Sequence, residues 1–396
     1  MRVAIVGGAG HVGLPLAVTL ADAGHHVSAI DTNLERVQSI QGGRSPFFEP
    51  GLDEVLVPVL AAGRLSLHTN LSATAGSDVV FVVVGTDLNE CNEPQNESVF
   101  AVASELLHHV SVTTTVVLRS TVMPGTTASV AQLLRGRVAG VAFCPERIAE
   151  GRALEELRGM PQLVGTETGV NSPLLTELFG SLGVESVPMT WKEAELGKLI
   201  LNSWRYSQFA IANEFRRLCE SHEVSFRNVR QAILHQYPRG QGLMGPGFAG
   251  GPCLKKDTLQ LLAGATVGSE LFESVLDSHR QMIPEVVDQV LQNMKSPTSM
   301  VVQLGLTFKP GSDDLRSSVA VELASELVKK CKNFVVVDPY VSHHDEFSMA
   351  SLQDALSKAD VVVIGTRHPE FVGAKLMVPC VDIGGVRLLN ESGRVE

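Results

Sequence analysis

A glycine-rich turn near the start of the 396-residue chain constrains the fold more than any other feature. The apolar segment 3–6 is followed by a Gly-x-Gly-x-x-Gly pattern at residues 8–13, which opens a helical segment over residues 14–23. A second apolar segment ends in Asp31. Glycines at this spacing, between a strand and a helix, allow a dinucleotide pyrophosphate to lie against the helix N-terminus. The pattern predicts an α/β domain that binds a dinucleotide.

Asp31 indicates which dinucleotide to expect. A carboxylate at the end of the second strand accepts hydrogen bonds from the ribose hydroxyls and repels a 2′-phosphate. The alternative is that the glycines serve only a tight turn. It is disfavoured because the strand, the helix and the acidic residue all occur in the required order. We therefore expect NAD rather than NADP as the cofactor.

Strands and helices alternate through roughly the first 180 residues and again after residue 300, which predicts doubly wound parallel sheets in an α/β protein. Between them, the apolar spacing from Leu196 to Leu218 predicts one long helix. This helix either packs in a core or supplies a dimer surface. The predicted strands cover residues 3–6, 27–30, 79–84, 115–118, 141–143, 162–165, 300–304, 334–337 and 361–365.

Composition bears on the partners of the protein. A formal net charge of −11 argues against nucleic acid as a ligand. No apolar run approaches the length of a membrane span, and the chain opens on a predicted strand instead of a signal peptide. The six cysteines show neither CxxC pairing nor a metal-ligand spacing. We therefore expect no metal and no membrane partner, in a reducing, cytoplasmic setting.

Cys253 lies in the glycine- and proline-rich segment 245–257. Such a backbone can approach a ligand closely, and Pro252 suits the start of a helix that continues from Cys253. The N–H groups of a helix N-terminus and the lysines that follow favour the thiolate. Asp257, four residues on, shares its face. The alternative is a small buried side chain in a structural loop; the basic neighbours and the carboxylate favour a reactive thiol.

Two pairs of polar residues recur at a spacing of four. Lys198 and Asn202 share a face of the long helix, where an ammonium and an amide can act on one oxygen. Glu146 and Glu150 follow a predicted strand at the same spacing. Taken alone, the first pair is typical of a solvated helix face and the second of a helix start. Both interpretations stay open at this point.

Hydroxyl groups and cations also follow predicted strands. The segment 120–127 places serine and threonine at the carboxyl edge of the first sheet, where ligands of such sheets bind. After the strand at residue 300, Lys309 and Arg316 lie in one loop. These two cations either bind phosphate or pair with Asp313 and Asp314, and the local sequence favours the ion pairs.

Together these segments resemble the UDP-glucose/GDP-mannose dehydrogenase family, NAD-dependent enzymes that oxidise the C6 alcohol of a nucleotide sugar to a carboxylate. The resemblance covers nearly the whole chain in order. It implies two Rossmann-like doubly wound domains joined by the long central helix, with domains at residues 1–185, 186–292 and 293–396; the middle one is helical. The matching segments are 8–14, 49–52, 120–122, 145–151, Lys198, Asn202, 212–214, 247–257 and 308–316.

The resemblance also implies a mechanism. Cys253 is the nucleophile that holds the C6 aldehyde as a thiohemiacetal and, after a second oxidation, as a thioester that water hydrolyses. Lys198 and Asn202 would stabilise the oxyanion. Asp257 would orient or activate water with Thr121. Glu150 would assist the hydrolytic step.

Ligand contacts are implied in the same way. Arg239 would reach the neighbouring subunit's site, which implies a homodimer, and the loop 242–251 would wrap the nucleotide sugar. The cofactor-binding residues would be Gly8, Gly10, His11, Val12, Gly13, Asp31, Arg36, Thr86, Ser120, Thr121, Glu150, Lys256 and Arg316. The substrate-binding residues would be Glu146, Arg147, Ile148, Lys198, Asn202, Arg205, Arg239, Gly247, Phe248, Gly250, Cys253, Phe308 and Lys309.

Departures from the family pattern concern the substrate. The loop 87–93 is unusual, and His11 stands where tyrosine is common. Segments 145–147 and 202–205 are more similar to the UDP-N-acetylmannosamine and UDP-N-acetylglucosamine branch than to the UDP-glucose branch. Residues 242–244 fit no pattern. The sugar, its nucleotide and the pathway served therefore stay open.

Two other functions remain as alternatives. An ordinary two-electron, NAD-dependent dehydrogenase of the hydroxyacid type needs a general base but no cysteine, so that Cys253 would be dispensable. A catalytically silent NAD-binding scaffold has no need for Lys198, Asn202, Cys253 and Asp257 together. Their joint presence favours an enzyme.

Overall fold

The computed structural model describes residues 1–89, 91–263, 265 and 268–384. They form two compact units. The first unit contains Met1–Leu201 and the segment Leu259–Ala265, and the second contains Asn202–Thr258 and the described residues from 268 onward. The expected division at residues 185 and 292 stays a prediction.

The first unit is built on an eight-stranded sheet in the order β3-β2-β1-β4-β5-β6-β7-β8. Its central strand β4 is apolar along its whole length and buried on both faces, as expected for a strand covered by helices on either side. The strands are β1 Arg2–Val6, β2 His26–Ile30, β3 Leu65–His68, β4 Val79–Val82, β5 Thr115–Leu118, β6 Gly140–Phe143, β7 Gln162–Thr166 and β8 Ser186–Thr190. The helices are α1 Gly13–Asp22, α2 Leu34–Gln41, α3 Leu52–Ala61, α4 Glu97–Leu106, α5 Thr126–Leu133, α6 Ala153–Gly159 and α7 Pro173–Gly180.

Two strands, β7 and β8, run opposite to β1–β6, which differs from the prediction of a fully parallel sheet. β7 pairs with β6 antiparallel, with Phe143 opposite Gly165, while β8 is parallel to β7. Gly165 permits this pairing because a Cβ there would lie 3.2 Å from the Phe143 carbonyl oxygen and 2.9 Å from the Cβ of Ala194. The strand itself was predicted, but its direction was wrong, since strand apolarity does not encode direction.

The long helix α8 runs from Trp191 to Ser221, as the apolar period predicted. Its residues up to Leu201 belong to the first unit and those from Asn202 to the second. Among the described residues, no helix is both long and apolar enough to cross a bilayer.

The second unit contains a four-stranded parallel sheet in the order β10-β9-β11-β12. Its apolar strands pack against helices that include α12 and α13. The prediction of a second doubly wound α/β domain is confirmed. The strands are β9 Met300–Leu304, β10 Asn333–Val337, β11 Val361–Ile364 and β12 Cys380–Val381, and the helices are α9 Phe226–Leu234, α10 Leu254–Ala263, α11 Glu270–Arg280, α12 Met282–Asn293, α13 Val319–Lys330 and α14 Leu352–Lys358. The last turns of α10 belong to the first unit.

Candidate functional site

The glycine turn of the first unit has the form that a dinucleotide requires. A Cβ on Gly13 would overlap the Gly7 carbonyl oxygen, and a Cβ on Gly8 would lie 2.7 Å from that of Ala29. These glycines therefore let α1 start directly against the sheet. Val12 occupies the N-cap position of α1 and provides no side-chain hydrogen bond there. A helix start that lies this close to the sheet and has no side-chain cap fits a pyrophosphate.

Asp31 lies beside this turn at the end of β2. Its Oδ2 accepts a hydrogen bond from the amide of Ala9 over 3.1 Å, and its Oδ1 accepts one from Asn33 over 3.0 Å. Asn33 in turn caps α2 by accepting from the amide of Arg36. The predicted cofactor residues Asp31 and Arg36 therefore follow the glycine turn in a fixed arrangement, and this arrangement fits the ribose of a dinucleotide.

Three predicted hydroxyl residues connect the ends of β4 and β5. Thr86 Oγ1 donates to the Thr121 carbonyl over 2.6 Å, and Ser120 Oγ donates to the Val84 carbonyl over 2.7 Å. Both donors are buried. Thr86 and Ser120 therefore hold the backbone that presents Thr121.

Glu146 is part of a buried ion pair that the sequence did not reveal. Arg119 Nε donates to Glu146 Oε2 over 2.8 Å, and the other carboxylate oxygen accepts from the amides of Arg147 and Ile148. Burial lowers the pKa of the Arg147 guanidinium, with Arg119 acting in the same direction and Glu146 against it. The carboxylate thus shapes the segment in which three substrate-binding residues were predicted. Arg119 gave no sequence signal, because its partner lies 27 residues away.

The backbone that follows Glu150 is held by a second carboxylate, that of Glu49. The Glu49 carboxylate accepts from the amides of Gly151 and Ala153 over 2.7 and 2.8 Å. His11 Nδ1 lies 3.9 Å from Glu150 Oε1, and the His11 ring stacks on Phe47 at a centroid distance of 4.1 Å. The first unit thus brings the predicted residues His11 and Glu150 together. The role of Glu49 was not predicted, although its segment 49–52 was part of the resemblance.

In the second unit, the predicted residues Asn202, Cys253, Lys256 and Asp257 are connected. Asn202 Nδ2 donates to Asp257 Oδ2 over 2.5 Å, and Lys256 Nζ lies 3.2 Å from Asp257 Oδ1. The Asp257 amide donates to the Cys253 carbonyl over 2.8 Å. Asp257 is completely buried, whereas Cys253 is exposed. A carboxylate and an amide therefore lie one helical turn from an accessible thiol.

Cys253 immediately precedes α10, so the helix begins one residue later than predicted. Its loop is fastened at two points. Asn213, buried on α8, donates to the Gly247 carbonyl over 3.0 Å and accepts from the Gly247 amide over 2.8 Å. The Gly251 amide donates to the Ser317 carbonyl over 2.9 Å. The role of Asn213 was missed, although its segment 212–214 belonged to the resemblance.

Glycine is required at the end of this loop. Gly251 has a φ of +94°, and a Cβ there would lie 2.5 Å from the ring of Phe308. Gly250 packs against the backbone of Ser317 and Val319. Gly251 thus lets the predicted substrate residue Phe308 approach the Cys253 loop, and Gly250 lets the segment before α13 approach it.

Three of the remaining predicted cations, Arg316, Lys309 and Arg239, have local partners. Arg316 donates to the Asp314 carboxylate, with Nε 2.9 Å from Oδ2, which confirms the ion pair favoured for this residue. Lys309 Nζ lies 5.5 Å from the centroid of the Phe308 ring. Arg239 Nε donates to the Tyr237 hydroxyl over 2.9 Å at an exposed position, and Arg205 is also exposed. Their contacts with ligand or partner stay predictions.

Comparison with known proteins extends these observations over the whole chain. Residues 1–182 match the NAD binding domain of the UDP-glucose/GDP-mannose dehydrogenase family, residues 192–281 its central domain and residues 302–383 its UDP binding domain.

Curated relatives and solved structures agree with this match. The chain is 30% identical to GDP-mannose 6-dehydrogenase of Pseudomonas putida over 96% of its length and 94% of the relative's. It is 31% identical to UDP-N-acetyl-D-mannosamine dehydrogenase of Pyrococcus horikoshii over 94% and 90%. A solved UDP-glucose dehydrogenase of Pyrobaculum islandicum superposes with a TM-score of 0.85 at 28% identity, covering 99% of this chain and 94% of that one.

Proposed function

Because the chain belongs to the UDP-glucose/GDP-mannose dehydrogenase family, we propose that it oxidises the C6 hydroxymethyl group of a nucleotide-diphosphate sugar to a carboxylate in two NAD-dependent steps. It is thus an NAD-dependent oxidoreductase of nucleotide sugars. One observation carries the four-electron chemistry: an exposed Cys253 one turn before the buried Asp257 that is hydrogen-bonded to Asn202.

The proposed sequence balances four electrons. NAD, when bound, accepts one hydride from C6 in each oxidation. After the first oxidation, the Cys253 sulfur adds to the aldehyde carbon and gives a thiohemiacetal. Loss of its C6 hydride and of its hydroxyl proton leaves a thioester. Water then adds to the thioester carbonyl and expels the Cys253 thiolate, and the product is the uronic acid.

The side chains of this protein have distinct tasks in that sequence. Asn202 has two amide hydrogens; one is donated to Asp257, and the other remains to be donated to the oxyanion at C6. Lys198 supplies positive charge for the same oxyanion. Asp257, with Thr121, orients the hydrolytic water, and Glu150 assists its attack.

The pyrophosphate and the ribose of the cofactor are assigned to residues of the first unit. The turn of Gly8, Gly10 and Gly13 receives the pyrophosphate, while Asp31 binds the ribose hydroxyls. All six cysteines are free thiols, in keeping with the proposed reducing, cytoplasmic setting.

The proposed substrate is a UDP-hexose, either UDP-N-acetylmannosamine, UDP-N-acetylglucosamine or UDP-glucose. The match of residues 302–383 to a UDP binding domain supports the nucleotide. The relatives named above act, by their names, on different sugars and on GDP-mannose as well, so that similarity alone does not select the sugar.

A substrate panel tests the proposal. The purified protein is incubated with NAD and each of UDP-glucose, UDP-N-acetylmannosamine, UDP-N-acetylglucosamine and GDP-mannose, and NADH absorbance is compared with the sugar consumed. We expect two NADH per sugar, and no net turnover for Cys253→Ala. One NADH per sugar together with a fully active Cys253→Ala variant would indicate a two-electron dehydrogenase. No NADH with any sugar would indicate a silent scaffold.

We further propose a homodimer formed through α8. Its residues Trp204, Ile211, Phe215 and Leu218 lie along one face and are between 42% and 57% exposed. The Leu218→Glu variant should be monomeric in sedimentation velocity, whereas Val328→Glu, at an exposed apolar position on α13, should remain dimeric. A monomeric native protein would exclude the dimer and, with it, the contribution of Arg239 to a neighbouring site.

A further inference from the structure

Glu195 is a buried carboxylate on α8 whose oxygens are used by a distant helix start. Its Oε2 accepts from the Gly125 amide over 2.6 Å. Its Oε1 accepts from the amide and the hydroxyl of Thr127 over 2.8 and 2.6 Å. Only 1% of Glu195 is exposed. Three hydrogen bonds to one carboxylate at so buried a position make a directional attachment.

The attachment replaces a cap that α5 does not make for itself. Gly125 is the N-cap residue of α5, with a φ of +96° and no side chain to offer its own helix. Glu195 accepts instead from the amides of the N-cap residue and of the second helical residue, where a negative charge is also favoured by the helix dipole. The start of α5 is thereby fixed to the turn of α8 that carries Glu195.

Both sides of this attachment carry residues of the proposed mechanism. Thr121 lies four residues before Gly125, and its carbonyl is held by Thr86. The segment between Thr121 and Gly125 is thus fastened at both ends. Lys198 lies three residues after Glu195, on the adjacent turn of α8, and is 7% exposed.

We propose that Glu195 is a positioning residue that fixes the distance between the Lys198 ammonium and the Thr121 hydroxyl. The inference rests on the proposed function, because it assigns these two groups to the same reaction. Glutamine cannot replace the carboxylate: its amide nitrogen would face an N–H donor where an acceptor is needed, so that α5 and α8 would shift relative to each other.

The test compares Glu195→Gln with Glu193→Gln. Glu193 lies on the same helix two residues away, and its exposed carboxylate accepts from the amide and hydroxyl of Thr190. A titration with NADH, monitored by fluorescence, measures the number of intact cofactor sites. For Glu195→Gln we expect kcat per NADH-binding site to fall at least about tenfold, since a displacement of about 1 Å can reduce catalysis by that much or more. The NADH dissociation constant should stay within about twofold of the native value. Glu193→Gln should change neither quantity.

Crystal structures of the native protein and of Glu195→Gln give a readout independent of turnover. We expect the separation of Lys198 Nζ and Thr121 Oγ1 to change by about 1 Å or more in Glu195→Gln. An unchanged separation would overturn the inference, as would an unchanged kcat per site. A loss of activity that merely parallels the loss of NADH sites would overturn it too. If the native protein oxidises no nucleotide sugar, the proposed function fails, and the structural comparison still decides whether Glu195 positions the two groups.

Discussion

Asn202 donates its side-chain amide to Asp257 over 2.5 Å, between two residues that are almost fully buried. The bond joins α8 to the first turn of α10, directly after the Cys253 loop. It occupies one of the two amide hydrogens of Asn202 and fixes the orientation of the Asp257 carboxylate. Stability and catalysis are therefore linked in this pair, and they can be separated by exchanging its members.

The exchange gives the first prediction. Asn202→Ala leaves a buried carboxylate without this donor and should lower the free energy of unfolding by about 1–3 kcal/mol, and kcat by about 100-fold. In the double variant Asn202→Asp with Asp257→Asn, the amide at position 257 can donate to the carboxylate at position 202, so that a hydrogen bond forms in the opposite direction. It should recover much of the stability, measured by urea unfolding, without recovering kcat. Recovery of both would show that the pair has only a structural role.

Thiol accessibility gives a second prediction. Burial raises the pKa of Cys144 to about 12, although Arg119 acts in the opposite direction. Cys144 thus has no thiolate near neutral pH and is inaccessible, whereas Cys253 is exposed. Iodoacetamide at pH 8 should inactivate the protein by labelling Cys253 and should leave Cys144 unmodified, as judged by peptide mass spectrometry.

The matched control for this labelling is Cys91→Ser, which removes another exposed thiol. Its inactivation rate should equal that of the native protein. Inactivation that disappears in Cys91→Ser would place the sensitive thiol outside the proposed site.

The glycine at the end of the Cys253 loop gives a third prediction. Gly251→Ala places a Cβ against the Phe308 ring at a left-handed φ of +94°, and it should reduce stability by about 1–3 kcal/mol and lower kcat. Gly245→Ala is the control, since a Cβ there meets nothing within 4 Å and its φ is not positive. Thermal unfolding and steady-state kinetics measure both. Equal effects from the two substitutions would contradict a specific requirement at Gly251.

His279 gives a fourth prediction, which concerns pH. Burial lowers the pKa of His279 to about 4, and Arg217 acts in the same direction against the hydrogen bond to the Tyr206 carbonyl. The unfolded chain, with a pKa near 6.5, binds the proton first. Stability is therefore fully present above pH 6.5 and declines toward pH 4, by up to about 3 kcal/mol.

Urea unfolding between pH 7.5 and 4 measures this dependence. His279→Gln does not titrate and can still donate to the Tyr206 carbonyl, so that the stability of the native protein relative to this variant should fall as the pH is lowered. A difference that is constant with pH would rule out His279 as the titrating group.

The parts of the fold that were predictable rest on local sequence. The bounds predicted for β5 and β9 match the structure, and the glycine turn opens α1 as expected, because apolar runs and glycine spacing act over a few residues. The antiparallel direction of β7 was not predictable in this way. It depends on where the chain enters the sheet after the connection from β6, which no single segment determines.

The residues of the candidate site likewise fall into those that could be predicted from the sequence and those that could not. Cys253 and Asp257 were predicted from the glycine-rich loop and the spacing of four, Asn202 was predicted from the family resemblance, and the structure connects the three. Arg119, Glu49 and Glu195 were not predicted. Their partners lie 27, 102 and 70 residues away, at distances in sequence where spacing carries no signal. Buried carboxylates that accept from backbone amides resemble surface acids until the fold is known.

The double attachment of the Cys253 loop, by Asn213 at Gly247 and by Ser317 at Gly251, ties the thiol to α8 and to the segment before α13. The sulfur therefore keeps its surroundings as long as those elements stay folded. The rate at which a thiol reagent modifies Cys253 can then serve as a folding reporter for the second unit. Dinucleotide fluorescence, which depends on the glycine turn, can follow the first unit in the same sample.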